Sequence, residues 1–160
     1  MEKEHIIDQD IFLTIRNGDL DTLATLIKNN PKIVNSKNEK GYSPLIIATY
    51  GEHIEIVNLL LENSANINEQ DAAGNTALMG VCFKGYKEIA KILIDNNALI
   101  NIRNYQGATA LIYAAMFGQI EIAKLLLEHG AEKTIKDQQG NTALMHAKMK
   151  ENKTLIDLLS

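Results

Sequence analysis

The sequence has few of the residues that bring covalent cross-links or metal chemistry to a protein. Its 160 residues include one cysteine, no tryptophan and four dispersed histidines. With Cys82 as the single cysteine, no internal disulfide can form. A zinc site needs about four convergent ligands, and no spacing of His and Cys supplies them. We therefore expect no bound metal and no cofactor.

Charge and hydropathy exclude further classes of protein. The chain carries 16 Lys and Arg against 20 Asp and Glu, a net charge of −4. The basic residues are scattered, whereas nucleic-acid binders usually concentrate them on one face, so we expect no nucleic-acid partner. No apolar run is long enough for a membrane span. Residues 1–10 have no apolar stretch typical of a signal peptide. These features predict a cytoplasmic protein without a membrane partner.

A repeat of constant length organises the chain. It is marked by four evenly spaced glycines: Gly41, Gly74, Gly107 and Gly140. Each is followed two residues later by a hydroxyl side chain (Ser43, Thr76, Thr109 and Thr142) and then by a leucine. A fixed period of this length is typical of stacked, identical supersecondary units.

Within one unit the pattern predicts two helices. Thr76 is placed to cap a first helix that starts near Ala77 and ends near Lys84, since a hydroxyl at this position accepts a backbone hydrogen bond. A turn at Gly85 leads to a second helix, roughly residues 87–96, with one apolar stripe. The positions after the second helices (Ser64, Asn97 and Gly130) are expected to be left-handed helix ends.

These units resemble ankyrin repeats. The fourth unit matches the family pattern best, at Gly107, Thr109, Leu111, Ala114, Ala115, Gly118, Ile122, Leu125, Leu126, Leu127, Gly130 and Ala131. The resemblance implies an all-α solenoid of stacked helix-turn-helix units joined by β-turn or hairpin loops. The family's Thr-Pro-Leu-His signature is degraded here. Its histidine is replaced by Ile46, Met79, Ile112 and Met145, which we expect to bury apolar area.

The register divides the chain into five units that form a single domain, 1–160. The units are an N-terminal cap (9–36), three central units (37–69, 70–102 and 103–135) and a C-terminal cap (136–160). A solenoid needs terminal units with a polar outer face. The lysines of the last unit, among them Lys148 and Lys150, agree with that role.

The resemblance also implies where a partner binds, because turn tips and first helices line the binding groove of ankyrin-repeat proteins. The corresponding positions hold large apolar residues and lysines. The predicted partner-binding residues are Tyr42, Tyr50, Phe83, Lys84, Tyr105, Met116, Phe117, Met149 and Lys150. Exposed aromatic residues and Met are favoured at interface centres. A second interpretation is that these side chains only fill the seams between units.

Three functions are compatible with these features. The first is a non-catalytic module, monomeric alone, that binds one protein partner as an inhibitor, an immunity protein or an adaptor. The second is a structural protein that uses the same apolar surface to form a homodimer. The third is an enzyme, which would require convergent titrating groups. The register offers none, and Cys82 stands where the family has a small buried alanine, so we expect no catalytic residues.

Overall fold

The computed structural model describes residues 11–160, and within them it contains helices and turns but no β-strand. Residues 9–10 of the predicted first unit lie outside the described part of the chain. The helices are α1 (11–16), α2 (Leu20–Asn29), α3 (Pro44–Tyr50), α4 (Ile54–Glu62), α5 (Ala77–Lys84), α6 (Lys87–Asp95), α7 (Ala110–Met116), α8 (Ile120–Glu128), α9 (Ala143–Met149) and α10 (Lys153–Leu159), with a 3₁₀ turn at Pro31–Asn35. The predicted all-α solenoid is confirmed.

The helices form two stacked layers. The first helices of successive units, α3, α5, α7 and α9, contact one another in sequence. The second helices, α2, α4, α6, α8 and α10, do the same, and each first helix also packs on the second helix of its own unit. One apolar core therefore runs the length of the stack.

A hydroxyl cap starts each of the first helices α3, α5, α7 and α9, as the repeat predicts. The Oγ1 of Thr76 accepts a hydrogen bond from the backbone N–H of Met79 at 3.3 Å. Ser43, Thr109 and Thr142 cap α3, α7 and α9 in the same way. Such a cap satisfies one of the backbone donors that a helix start leaves without a partner.

A tip, defined here as the five-residue turn before each capping hydroxyl, closes around one side-chain oxygen. In the tip 71–75, Oδ1 of Asp71 accepts the backbone N–H groups of Ala73 and Asn75, both at 2.9 Å. The Oδ1 atoms of Asn38, Asn104 and Asp137 make the same pair of bonds in the tips 38–42, 104–108 and 137–141. An Asp or Asn at this place therefore sets the shape of every tip.

Side chains at equivalent positions of successive units tie each tip to the next. Lys37 Nζ donates to the carbonyl of Gln70, and Gln70 Nε2 donates to the carbonyl of Arg103. A guanidinium nitrogen of Arg103 then donates to the carbonyl of Lys136 at 2.7 Å. Each donor reaches the backbone of the equivalent residue in the following unit, so the tips are held in register along the stack.

Of the four residues at the family's histidine position, three are buried and the one in the last unit is not. Ile46, Met79 and Ile112 are almost fully buried, as expected. Met145 is 42% exposed, and the expectation that it would be buried is wrong. The other three are covered by the next first helix, and among the described residues no helix pair follows the one that contains Met145.

Two glutamates stand in a left-handed conformation at the turn between the helices of a unit. Glu52 of the second unit has φ 58° and Glu151 of the fifth has φ 53°, where the third and fourth units have Gly85 and Gly118. A residue with a Cβ costs roughly 1–2 kcal/mol in this conformation. The expected left-handed ends at Ser64, Asn97 and Gly130 are also present.

We predict that Glu52→Gly raises the free energy of unfolding by up to about 1 kcal/mol, because relief of this strain exceeds the entropy that glycine adds to the unfolded chain. Gly118→Ala is the matched reverse change. A Cβ there meets only Asn152, at 3.7 Å, so conformation alone should lower stability by about 1 kcal/mol. Urea unfolding of the two variants checks this. A destabilised Glu52→Gly variant would contradict the strain assignment.

Candidate functional site

A groove lies between the tips and the first helices, and one cavity in it is shared by the fourth and fifth units. The cavity has a volume of about 280 Å³. Gln106 and Gln138 of two successive tips border it on one side. On the helix side it is bordered by Tyr113 and Met116 of α7, by Phe117 directly after α7, and by His146 of α9. Its surface therefore combines amide groups from the tips with apolar groups from the helices.

The centre of the predicted apolar row is a pair of phenylalanines that joins two units. The rings of Phe83 and Phe117 meet edge to face, with centroids 4.7 Å apart and planes at 85°. Tyr113 packs behind Phe117, with ring centroids 6.0 Å apart. Phe83 and Phe117 are nevertheless 45% and 41% exposed. The two side chains thus fill part of the seam between α5 and α7 and still present apolar surface to solvent.

Tyr50 leans in the same direction, from the second unit onto the third. An ideal Cβ on Gly80 would lie 2.9 Å from Cε2 of Tyr50, so the absent side chain at position 80 makes room for the ring. Tyr42 and Tyr50 also border a shallower cavity of about 140 Å³ with Ile46 and Ile47. This cavity is the apolar end of the groove nearest the N-terminus.

The other predicted residues lie around these centres rather than in one cluster. Tyr105 is largely exposed at a tip and packs against Gly74 of the preceding tip. Met149 and Lys150 are exposed at the end of α9. Lys84 is exposed at the end of α5, with its Nζ 5.7 Å from the centroid of the Tyr86 ring. The predicted site is therefore a row that runs along the stack, one or two residues per unit.

Two polar clusters in the groove are missing from the sequence-based predictions. In the first, Nε2 of His146 and Oδ2 of Asp137 lie 2.7 Å apart, both side chains about nine-tenths buried. In the second, the side chains of Asn75, Asn104 and Tyr113 hydrogen-bond one another across two units. A signal was available, because Asp or Asn recurs once per repeat at the first tip position. Asn104 finds its partner Asn75 in the preceding unit, so that contact depends on how the units stack, whereas Asp137 meets His146 within its own unit.

The local environment shifts the pKa values of three side chains in the groove: Asp137, Tyr50 and Tyr113. Burial acts to raise the pKa of Asp137, but hydrogen bonds from His146 and from the backbone of Asn141 and Gln139 outweigh it, and the pKa lies below its ordinary value. Desolvation raises the pKa of the Tyr50 and Tyr113 hydroxyls. Asp137 is thus a stable anion inside the tip of the fifth unit, where its hydrogen bonds are made within that unit.

The chemistry of the described residues favours binding over reaction. Cys82 is fully buried, and desolvation raises the pKa of its thiol far above the ordinary value, which disfavours the reactive thiolate. In residues 11–160, no three side chains of His, Cys, Asp or Glu are grouped closely enough to hold a metal ion. None of the helices in that range has the length and apolarity needed to cross a bilayer.

Comparison with known families agrees with the repeat register. The family model for ankyrin repeats, three copies long, matches residues 11–71 and 65–137. These two matches together span more than half of the chain. The comparison with curated proteins finds no match. Domains of this family are in general protein–protein interaction modules and typically non-catalytic.

We predict that Phe83 and Phe117 are energetically coupled. Edge-to-face aromatic pairs contribute about 0.5–1.5 kcal/mol beyond the area they bury. In a double-mutant cycle, Phe83→Ala should therefore cost less stability in a Phe117→Ala background than in the wild type. Urea unfolding of the four proteins measures the difference. A coupling energy near zero would mean that the two rings pack independently.

We also predict that Asp137 makes stability sensitive to acid. Its pKa is lowered in the folded state, so its contribution is complete above the unfolded carboxyl value of about 3.9 and is lost as the pH falls below that value. Asp137→Asn keeps the acceptor that Asn38 and Asn104 provide in their tips. The variant should be less stable than the wild type near pH 5, and the difference should shrink towards pH 3.

Thermal unfolding at both pH values measures this effect. Asp157→Asn, on the exposed surface of α10, is the control and should change little at either pH. A difference between wild type and Asp137→Asn that stays constant from pH 5 to pH 3 would contradict the role given to the Asp137 carboxylate.

Proposed function

The chain belongs to the ankyrin-repeat family, and from that premise we propose that it binds a protein partner along the groove between its tips and first helices. The observation that carries the proposal is the row of partly exposed apolar side chains at one register position of successive units. Tyr50, Phe83 and Met149 occupy this position with large exposed groups, and Met116 with a partly buried one. Phe117, one residue later, extends the row.

The row has the properties of an interface centre. Phe83 and Phe117 are held in place by each other, so binding orders little that is mobile in the free protein, and preorganisation of this kind lowers the entropic cost of association. The cavity beside Met116 and Phe117 offers a recess for one large side chain of the partner. Interface hot spots occur at such recesses, lined by groups that become fully desolvated.

We propose that the protein acts through binding alone, as an inhibitor, an immunity protein for a toxin, or an adaptor. A tight one-to-one complex with an enzyme would identify an inhibitor or immunity protein. Several partners of lower affinity would identify an adaptor. In each case the free protein is a monomer.

A homodimer that buries the same apolar row is the alternative. Sedimentation equilibrium of the purified protein over a hundredfold range of concentration separates the two. A constant mass near 17.7 kDa agrees with the monomeric binder. A mass that doubles with concentration, and does not in a Phe83→Ala/Phe117→Ala variant, would establish the homodimer instead.

The direct test uses the protein as bait in lysate from its own source, beside the variant Phe83→Ala/Met116→Ala/Phe117→Ala. We expect the wild type to retain a partner in a one-to-one ratio and the variant to lose it, because truncation of interface hot spots costs about 2 kcal/mol or more, or at least about thirtyfold in affinity. Circular dichroism confirms that both proteins are folded.

Leu20→Ala/Leu99→Ala is the matched control. Both leucines are exposed apolar residues, and neither lies on a first helix of the central units or on a tip. This variant should retain the partner with the affinity of the wild type. A partner that the control loses and the groove variant keeps would place the binding surface on the second-helix side and refute the proposal.

A further inference from the structure

Charge is divided between the two sides of the stack. We define the groove segments as the stretches that run from the residue before each tip to the end of the first helix or one residue past it. They are 37–51, 70–84, 103–117 and 136–150. They contain seven Lys or Arg and three Asp or Glu. The intervening segments, which carry the second helices and run over 52–69, 85–102, 118–135 and 151–160, contain five Lys and eleven Asp or Glu. A chain of net negative charge thus has a positive groove side.

The three acidic residues of the groove segments do not weaken this asymmetry. Asp71 and Asp137 are largely buried, and each accepts the two backbone N–H groups that close its own tip. Glu39 remains as the exposed carboxylate of the groove segments. The four first helices themselves, α3, α5, α7 and α9, contain no Asp or Glu at all.

The cations on the two sides also differ in their partners. Of the five lysines on the second-helix side, three pair with a carboxylate of the same layer: Lys87, Lys91 and Lys124. In the groove segments Lys37 pairs with Glu69. The remaining groove cations have no ion pair among residues 11–160, and they include Lys84 and Lys150, one at the end of α5 and the other just after α9.

Lys84 and Lys150 stand on the same register position as Phe117, in units three and five, on either side of it. The apolar centre formed by Phe83 and Phe117 is therefore bracketed by two uncompensated positive charges. Opposite charges across an interface raise the association rate and select the partner. A surface with this pattern is complementary to apolar side chains flanked by carboxylates.

We infer that the partner's docking segment is acidic: one or more large aliphatic or aromatic side chains contact the Phe83–Phe117 centre, and Asp or Glu residues beside them face Lys84 and Lys150. This inference rests on the proposed function, since it concerns the same groove. It adds the chemical class of the ligand, an acidic protein segment.

The geometry favours a protein over a single-stranded nucleic acid. Bases stack on the faces of aromatic rings, but Phe83 and Phe117 pack edge to face, so each restricts access to the other. Arg103 donates from Nε to the carbonyl of Gly107 and from the guanidinium terminus to the carbonyl of Lys136, which takes up donors that a phosphate would need. The seven groove cations are spread over four units with apolar surface between them.

The test is a selection from a random peptide display library against the folded full chain at low ionic strength. We expect the enriched peptides to carry a net negative charge next to Phe, Tyr, Trp, Leu or Met. Synthetic copies should bind the variant Lys84→Glu/Lys150→Glu about tenfold or more weakly, since each reversal replaces an attraction with a repulsion. This difference should become smaller at 0.5 M salt, where charge interactions are screened within about 4–5 Å.

Lys28→Glu/Lys153→Glu is the matched control, because it makes the same change in net charge at exposed positions on the second-helix side. Its affinity for the peptides should stay within about twofold of the wild type, as expected for distant surface charges. A fluorescent mixed-sequence single-stranded oligonucleotide is the second probe and should bind weakly at physiological salt.

Enriched peptides that depend on Phe83 and Phe117 but are neutral or basic would overturn the inference and leave the proposed function standing. Peptides that bind equally well to a Phe83→Ala/Phe117→Ala variant would overturn the proposed function. A library that yields no binder would count against both. Oligonucleotide binding at physiological salt that Lys84→Glu/Lys150→Glu abolishes would identify a nucleic-acid groove instead.

Discussion

The whole arrangement depends on one hydrogen-bond acceptor in each of the last four units, the Oδ1 atom of an Asp or Asn at the start of the tip. It accepts two backbone N–H groups that would otherwise need water or strand pairing. The turn it closes ends at the hydroxyl that caps the first helix, so it sets where that helix begins. Because the same turn recurs at a constant interval along the chain, successive units pack on one another through the same helix face.

This regularity explains how a side chain can serve both the fold and a binding surface. A residue at the end of a first helix lies above the gap between two units, where one side of the side chain contacts the next helix and the other side faces the groove. Phe83 and Phe117 illustrate this, because they contact each other across the gap and remain partly exposed. Packing fixes their rotamers, and the fixed rotamers form a preorganised apolar surface.

The distribution of charge follows from the same two layers. Second helices face solvent, and there some lysines pair with an Asp or Glu at helical spacing while acidic residues remain in excess. First helices have little solvent-exposed surface and place almost all of it in the groove. The few lysines found there are consequently concentrated on one side of the molecule, although they look scattered along the chain. Positions that are scattered along the linear sequence thus come together on one side of the folded chain.

Much of the architecture could be predicted from the sequence because it depends on local chemistry repeated at a fixed period. The caps at Ser43 and Thr76 and the left-handed ends at Asn97 and Gly130 need only nearby residues, so their spacing reveals them. The row that contains Tyr50 and Phe83 could be placed on the groove side for the same reason, because its members recur at one position of the repeat.

Only the tertiary structure decided which side chains meet and which are buried, since both depend on contacts between separate elements. The meeting of Asn75 with Tyr113 depends on the rotation of one unit against the next, which no local pattern encodes. Asp137 and His146 belong to one unit, and their meeting depends on how the tip packs on α9. The exposure of Met145 depends on whether a further helix pair covers it, although its sequence surroundings match those of the buried Met79. Local hydrogen bonds are determined within one repeat, and burial and charge are properties of the assembled stack.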